Sequence, residues 1–222
     1  QIGGDLAALS RVEPADLLRI QLDDRALFLD RWQQLLLRTL TTGFNAFPQA
    51  ERLVDAVRNW GARALPESGG YTLVQAFRGR VLELVLEPLS QRCRKFQPDF
   101  AFGFHQVERP VWSLLETRPA HLLNPRFPSY DALLTAAAQE SIKACRASES
   151  DATPQRWGAF NRVEIRHPLS QGLGPLAGWF DLPPLELPGD DDMPRVQGRE
   201  FGASERLAVA PGHEAEGYFE LP

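Results

Sequence analysis

The chain has 222 residues, enough for one large domain or two small ones, and its 43% hydrophobic content is that of a packed globular protein rather than a disordered one. The 24 basic and 29 acidic residues give a formal charge of -5, and with only two lysines, Lys95 and Lys143, and no Lys/Arg cluster, nothing marks a nucleic-acid partner. No apolar run approaches the roughly 20 residues that cross a bilayer, so no membrane span is expected. Gln1-Ile2-Gly3-Gly4-Asp5 has neither the basic start nor the hydrophobic core of a signal segment. The only methionine is Met193, so the chain is expected to be a processed product or an excised piece of something longer.

From residues 14 to 40, apolar side chains recur three and four apart through Leu18, Leu22, Ala26, Leu29, Leu36 and Leu40, with Phe28 and Trp32 broadening the stripe. This predicts a helix pair or one long helix. After the break GFNAFP, residues 49–65 read as a second amphipathic helix through Leu53, Ala56, Val57 and Trp60. A third spans residues 71–94, with Pro88 expected to kink or end it. Residues 96–128 carry five prolines and many aromatics and read as irregular, apart from a short helix over 111–116. Ser129 stands where an N-cap belongs, ahead of a helix over 130–146 with Leu133, Leu134, Ala137, Ala138 and Ile142 on one face.

The stretch ASESDATP is the clearest break. Beyond it Val163-Glu164-Ile165 and Leu207-Ala208-Val209 are strand-like, the ending GHEAEGYFELP alternates apolar and polar residues, and Pro and Gly punctuate the rest. The expected organisation is a helical region at 1–150 and a strand- and turn-rich region at 151–222, an α+β order.

Few residues carry chemistry. A Ser-His-Asp hydrolase needs a base holding the serine proton, and none of His105, His121, His167 or His213 lies beside a G-x-S-x-G elbow, which the sequence lacks. His167, followed by Pro168, and His105, in an aromatic stretch, read as structural; His121 and His213 read as surface loop residues. Asp190-Asp191-Asp192 could offer carboxylates to calcium, but reads as a solvated loop between Pro188 and Pro194. GLGPLAG at 172–178 is turn-rich and does not lead a strand into a helix as a phosphate loop does. Cys93 and Cys145 either form one bridge, closing a loop of about 50 residues worth roughly 4 kcal/mol in the entropy model, or remain two buried thiols. No C-x-x-C or His-rich spacing supports a metal site.

The ordered set IQLDDRALFLDRW (20–32), WG..NR....HPL (157–169), PGDDD (188–192) and FGASERLAV (201–209) resembles the later part of the β chain of the penicillin acylase (penicillin amidase) family, whose relatives include acyl-homoserine-lactone acylases. The resemblance covers nearly the whole chain. It implies a place in the larger αββα fold of an N-terminal nucleophile hydrolase, one that cleaves linear amides with a serine at the head of the β chain. The free α-amino group of that serine acts as base, and a backbone N–H and an asparagine form the oxyanion hole. Position 1 here is Gln1, whose amide is no nucleophile, and the family's oxyanion and metal-binding positions fall upstream, as does any calcium of the parent.

The resemblance therefore implies a fragment inactive alone, with no catalytic, cofactor or metal residue of its own. Its partners would be the remainder of the β chain, the α chain and, in the parent, a small amide substrate; its location would be periplasmic or secreted. The competing expectation is a non-catalytic helical protein-interaction module. Residues 157–170, WGAFNRVEIRHPLS, then read as architecture: Trp157, Asn161, Arg162 and His167 are expected to hold the β-rich part against the helical part, with Arg162 pairing with a carboxylate or carbonyls and His167 fixing the turn at Pro168.

Overall fold

Apolar side chains spaced three and four apart produce most of the regular structure in a computed structural model that describes residues 1–43, 45, 47, 49–102, 106–148, 153–172, 174–202 and 206–220. The helices are α1 (Ile2–Ala7), α2 (Pro14–Gln21), α3 (Asp30–Thr42), α4 (Ala50–Arg58), α5 (Gly69–Arg94), α6 (Glu108–Thr117), α7 (Tyr130–Cys145) and the short α8 (Trp157–Phe160). Two strands, β1 (Arg206–Ala208) and β2 (Tyr218–Glu220), pair antiparallel with Leu207 opposite Phe219. The chain is thus helix-rich with few strands.

The stretch 14–40 resolves as a helix pair, α2 and α3, and Tyr130–Cys145 is a helix as its period predicts. Val163-Glu164-Ile165 is not a strand: it contributes one isolated bridge, Val163 to Leu185. Alternation over three residues marks a half-buried segment, but a ladder needs a partner that continues beside it, and a strand pair grows only where both sides do.

The chain forms two compact units. One comprises Gln1–Leu27, Ala62–Ser68 and Arg156–Pro222, the other Phe28–Gly61 and Gly69–Gln155. Residues 1–27 and 62–68 group with the later part of the chain. Backbone pairing is the reason. Ala26 N donates to Ala62 O at 2.8 Å and Ala64 N to Asp24 O at 2.9 Å, while Gly189 N reaches Ala64 O at 2.9 Å and Arg195 N reaches Asp23 O at 3.1 Å. These hydrogen bonds bring four separated segments together without a regular sheet.

The second unit is a helical assembly around α5, which packs against α3, α4, α6 and α7. Its core includes Trp32, Leu36 and Leu40 of α3, Leu53 and Val57 of α4, Leu73, Phe77 and Val81 of α5, and Leu133 and Ala137 of α7, all fully buried. The apolar faces that could have served a protein partner are thus largely spent on one another. Gly70 permits the α4–α5 approach, since a Cβ there would stand 2.1 Å from the Ala56 carbonyl oxygen. Ser129 caps α7, its Oγ accepting from Ala132 N at 3.1 Å. Glu108, in the first turn of α6, ties three helices together: it accepts from Arg31 and from the Trp32 indole, each at 2.9 Å, and from Arg78 Nε at 2.5 Å. A carboxylate there also meets the positive end of the helix dipole.

Pro88 does not end α5, which continues to Arg94. A proline inside a helix removes the donor that would satisfy the carbonyl four residues earlier, here that of Leu84. Asn124 supplies the substitute. Only 2% exposed, it donates Nδ2 to Leu84 O at 2.9 Å and to Glu87 Oε2 at 2.7 Å. Hydrogen bonds from Asn124, and then from Arg126, hold the Glu87 carboxyl below its usual range against the opposing effect of burial.

Cys93 and Cys145 are both free thiols. Cys145 is fully buried, with Sγ 3.9 Å from the Thr72 carbonyl oxygen, and burial pushes its pKa up to about 12. Cys93 is half-buried.

Asn124→Ala should cost about 1–3 kcal/mol, the usual consequence of stranding a buried polar group, and the loss should shrink in a Pro88→Ala background, where residue 88 regains the N–H that Leu84 O needs. Urea unfolding of the four proteins of that cycle reads the coupling, and strict additivity would mean that Asn124 does not serve the proline gap. For Cys145, the folded value lies above the unfolded value near 9.0, so its contribution to stability is present below that value and is lost as pH rises toward the folded one. Cys145→Ala should therefore flatten the fall in stability between about pH 8 and about pH 10.5, and thiol reagents should label Cys93 in the native protein but Cys145 only after unfolding.

Candidate functional site

The polar stretch 157–170 lies in the first unit, and most of its chemically capable side chains can be followed to a partner. Trp157 is buried, donates its indole N–H to Gly189 O at 2.9 Å and stacks on Phe160 with ring centroids 5.8 Å apart. Its backbone N–H reaches Ser68 O at 3.1 Å, and that of Gly158 reaches Pro66 O at 2.8 Å. Asn161, also buried, donates Nδ2 to Gln197 O at 3.2 Å, and Gln197 returns a bond from Nε2 to Asn161 O at 3.4 Å. Trp157 and Asn161 thus fasten α8 to residues 66–68, 189 and 197 of the same unit. Arg162 departs from expectation: it is exposed and makes no ion pair or side-chain hydrogen bond among the described residues.

His167, Ser170 and Asp181 lie together, and the types are those of a catalytic triad. The bonds are not. His167 Nδ1 accepts from Leu169 N at 3.1 Å, and this bond assigns the proton of the neutral ring to Nε2. The Ser170 hydroxyl donates to the His167 carbonyl oxygen at 2.7 Å, and Asp181 Oδ1 accepts from the His167 backbone N–H at 2.9 Å. The Ser170 hydroxyl beside it, and then the His167 N–H, hold the Asp181 carboxyl below its usual range. A nucleophilic serine needs a ring nitrogen ready to take its proton; here the available lone pair is occupied by a main-chain N–H, and all three residues brace the turn that opens at Pro168.

His121 is exposed in the 3-10 turn Ala120–Leu122, and exposed His213 lies 3.3 Å from Glu216 Oε1. His105 lies outside the described residues. Residues 172–178 fall in 3-10 turns, Pro168–Gly172 and Gly174–Trp179, with Leu173 outside the description.

Asp190 corrects the reading of a solvated loop: it is 5% exposed, and its Oδ1 accepts from Asp191 N at 2.8 Å, closing the turn. Asp191 and Asp192 are exposed. Among the described residues no three His, Cys, Asp or Glu side chains converge as a cation would require.

The sequence reading missed a charged cluster around Asp23-Asp24-Arg25. Arg25 is bidentate on Asp23, through Nε and Nη2 at 2.9 and 2.6 Å, and reaches Asp5 at 2.6 Å. Gln1 Nε2 adds a bond to Asp23 Oδ2 at 2.6 Å, and Arg63 pairs with Asp24 at 2.6 Å. Hydrogen bonds from Arg25 hold the buried Asp23 carboxyl well below the usual range against burial, with Gln1 adding to the effect. Beside the cluster a cavity of about 690 Å³ is floored by Leu9, Leu18 and Ile20, and Arg25 on its wall is already neutralised by two carboxylates. The signal was present as two acids and a base in tandem, interrupting an apolar stripe.

A family model described as penicillin amidase matches residues 2–222. No curated protein matches the chain.

A Cβ at Gly158 would stand 2.7 Å from Pro66 Cβ and 2.8 Å from Glu186 Cβ. Gly158→Ala should therefore destabilise the protein by about 1–3 kcal/mol through overpacking, read as a lowered urea midpoint at unchanged slope; an unaffected midpoint would show that α8 is not held at this distance.

Proposed function

The chain belongs to the penicillin amidase family, and we propose that residues 1–222 form a frame within an amidase that hydrolyses linear amide bonds through a serine at the head of its β chain. The observation that carries this reading is the family match along almost the entire chain. It is supported by the bonding of the stretch 157–170, whose histidine, serine, asparagine and tryptophan are committed to backbone partners.

In the reaction proposed for the parent, the serine oxygen adds to the amide carbonyl while its proton passes to the α-amino group. The C–N bond then breaks and the amine leaves with that proton. Water next cleaves the ester, releasing the carboxylic acid and restoring the hydroxyl. Donors at an oxyanion hole stabilise the two tetrahedral intermediates. Residues 1–222 contribute to none of these transfers in the proposal; they keep the surrounding backbone in place. The larger αββα fold, an α-chain partner and a periplasmic or secreted location belong to the same proposal. Among the described residues no helix is long and apolar enough to cross a membrane.

His167→Ala in the full-length enzyme tests the assignment. The melting temperature should fall, because Leu169 N–H and the Pro168 turn lose their support at a cost of about 1–3 kcal/mol, while turnover per folded molecule on phenylacetyl or long-chain acyl amides stays within a few fold. A loss of about a thousandfold in kcat at unchanged stability is what removal of a general base produces, and it would make His167 catalytic.

A further inference from the structure

A groove in the helical unit combines an apolar floor with a rim of one charge sign. It runs along the end of α5 beside α6 and the turn at 120–122, encloses about 370 Å³ and has Val85, Leu89 and Leu122 on its floor. Leu89 and Leu122 are 39% and 40% exposed. Arg92, Lys95 and His121 stand at the rim, and among the described residues no carboxylate lines it. None of the three has a carboxylate partner among the described residues. Glu87, which Gln91 approaches at 3.3 Å, is engaged by Asn124 and Arg126.

Elsewhere on α5 and beside it, Arg80 is matched by Glu83 and Glu140 and Arg126 by Glu87. In this groove Arg92 and Lys95 stand without such acids among the described residues, beside two exposed leucines. Its volume lies at the lower end of the range of small-molecule sites, which join apolar walls to a few polar anchors.

We propose that this groove binds an organic carboxylate with an apolar tail, the tail against Leu89 and Leu122 and the carboxylate between Arg92 and Lys95. Arginine offers two parallel N–H donors to a carboxylate and lysine a point charge, and the leucines lose water when the chain is seated. The proposal stands on the groove alone, although an amide hydrolase that releases an apolar acid would produce a ligand of this class.

Calorimetric titration of the full-length enzyme with octanoate tests it. Saturable binding is expected, weakened at least about tenfold by Arg92→Gln with Lys95→Gln, in line with loss of charge-assisted bonds. Octanol, which keeps the chain, and acetate, which keeps the charge, should each bind at least about tenfold more weakly than octanoate. Because both substitutions fall on exposed side chains, an unchanged melting temperature serves as the folding control. Binding that survives the double substitution within about twofold, or octanol binding as tightly as octanoate, overturns the proposal. So does the absence of saturable binding, and if Leu122→Glu then disrupts the assembled enzyme, the groove is a packing seam for another segment. An enzyme that hydrolyses amides but ignores octanoate removes only the groove; one that binds octanoate through Arg92 and Lys95 without cleaving amides removes only the amidase reading.

Discussion

The hydrogen bond from Asn124 to the carbonyl of Leu84 allows α5 to be a single helix, and the helical unit is organised around α5. Without it, Pro88 would leave a buried acceptor unpaired near the centre of a 26-residue helix, a situation that costs about 1–3 kcal/mol where no partner appears. The same amide also holds Glu87, and Arg126 closes on that carboxylate from the other side. One buried side chain thus permits the proline and settles the charge beside it. The apolar groove opens from the face of α5 that carries Val85, Leu89 and Arg92, spaced as successive turns of one helix.

The other unit is built on a different balance. Its short helices and two three-residue strands supply few backbone ladders, and many of its large apolar side chains are exposed, Trp179 at 85% among them. Cohesion comes from buried polar groups bonded to distant backbone: Trp157 to Gly189, Asn161 to Gln197, and the pairing of 24–26 with 62–64. Such bonds are directional, so they specify where irregular segments lie in a way that apolar burial does not. Arg25 extends the pattern by joining α1 to the segment after α2 through Asp5 and Asp23.

Legibility in the sequence follows the range of the interactions. α3, α4, α5 and α7 are written as apolar periodicity, and Ser129 announces its helix because a cap acts over three residues. The persistence of α5 past Pro88 is not local: the deciding residue lies 40 positions from the carbonyl it satisfies. The compact units are likewise hidden, since the bonds that join 24–26 to 62–64, Gly189 to Ala64 and Arg195 to Asp23 are main-chain bonds, with the Arg63–Asp24 pair as the side-chain link beside them. Val163-Glu164-Ile165 shows the converse error, a convincing period without a continuing partner.

The stretch 157–170 shows why residue type alone overstates chemistry. A histidine, a serine and an aspartate within bonding distance of one another suggest a relay, yet a relay requires an unoccupied lone pair on the ring and a proton path from oxygen to nitrogen. Here the ring nitrogen accepts a main-chain N–H and the hydroxyl faces a main-chain oxygen. Any motion that freed His167 Nδ1 to take a proton would leave Leu169 N–H without that partner and loosen the turn that positions Ser170. The groups cannot brace the turn and carry a proton through the same lone pair.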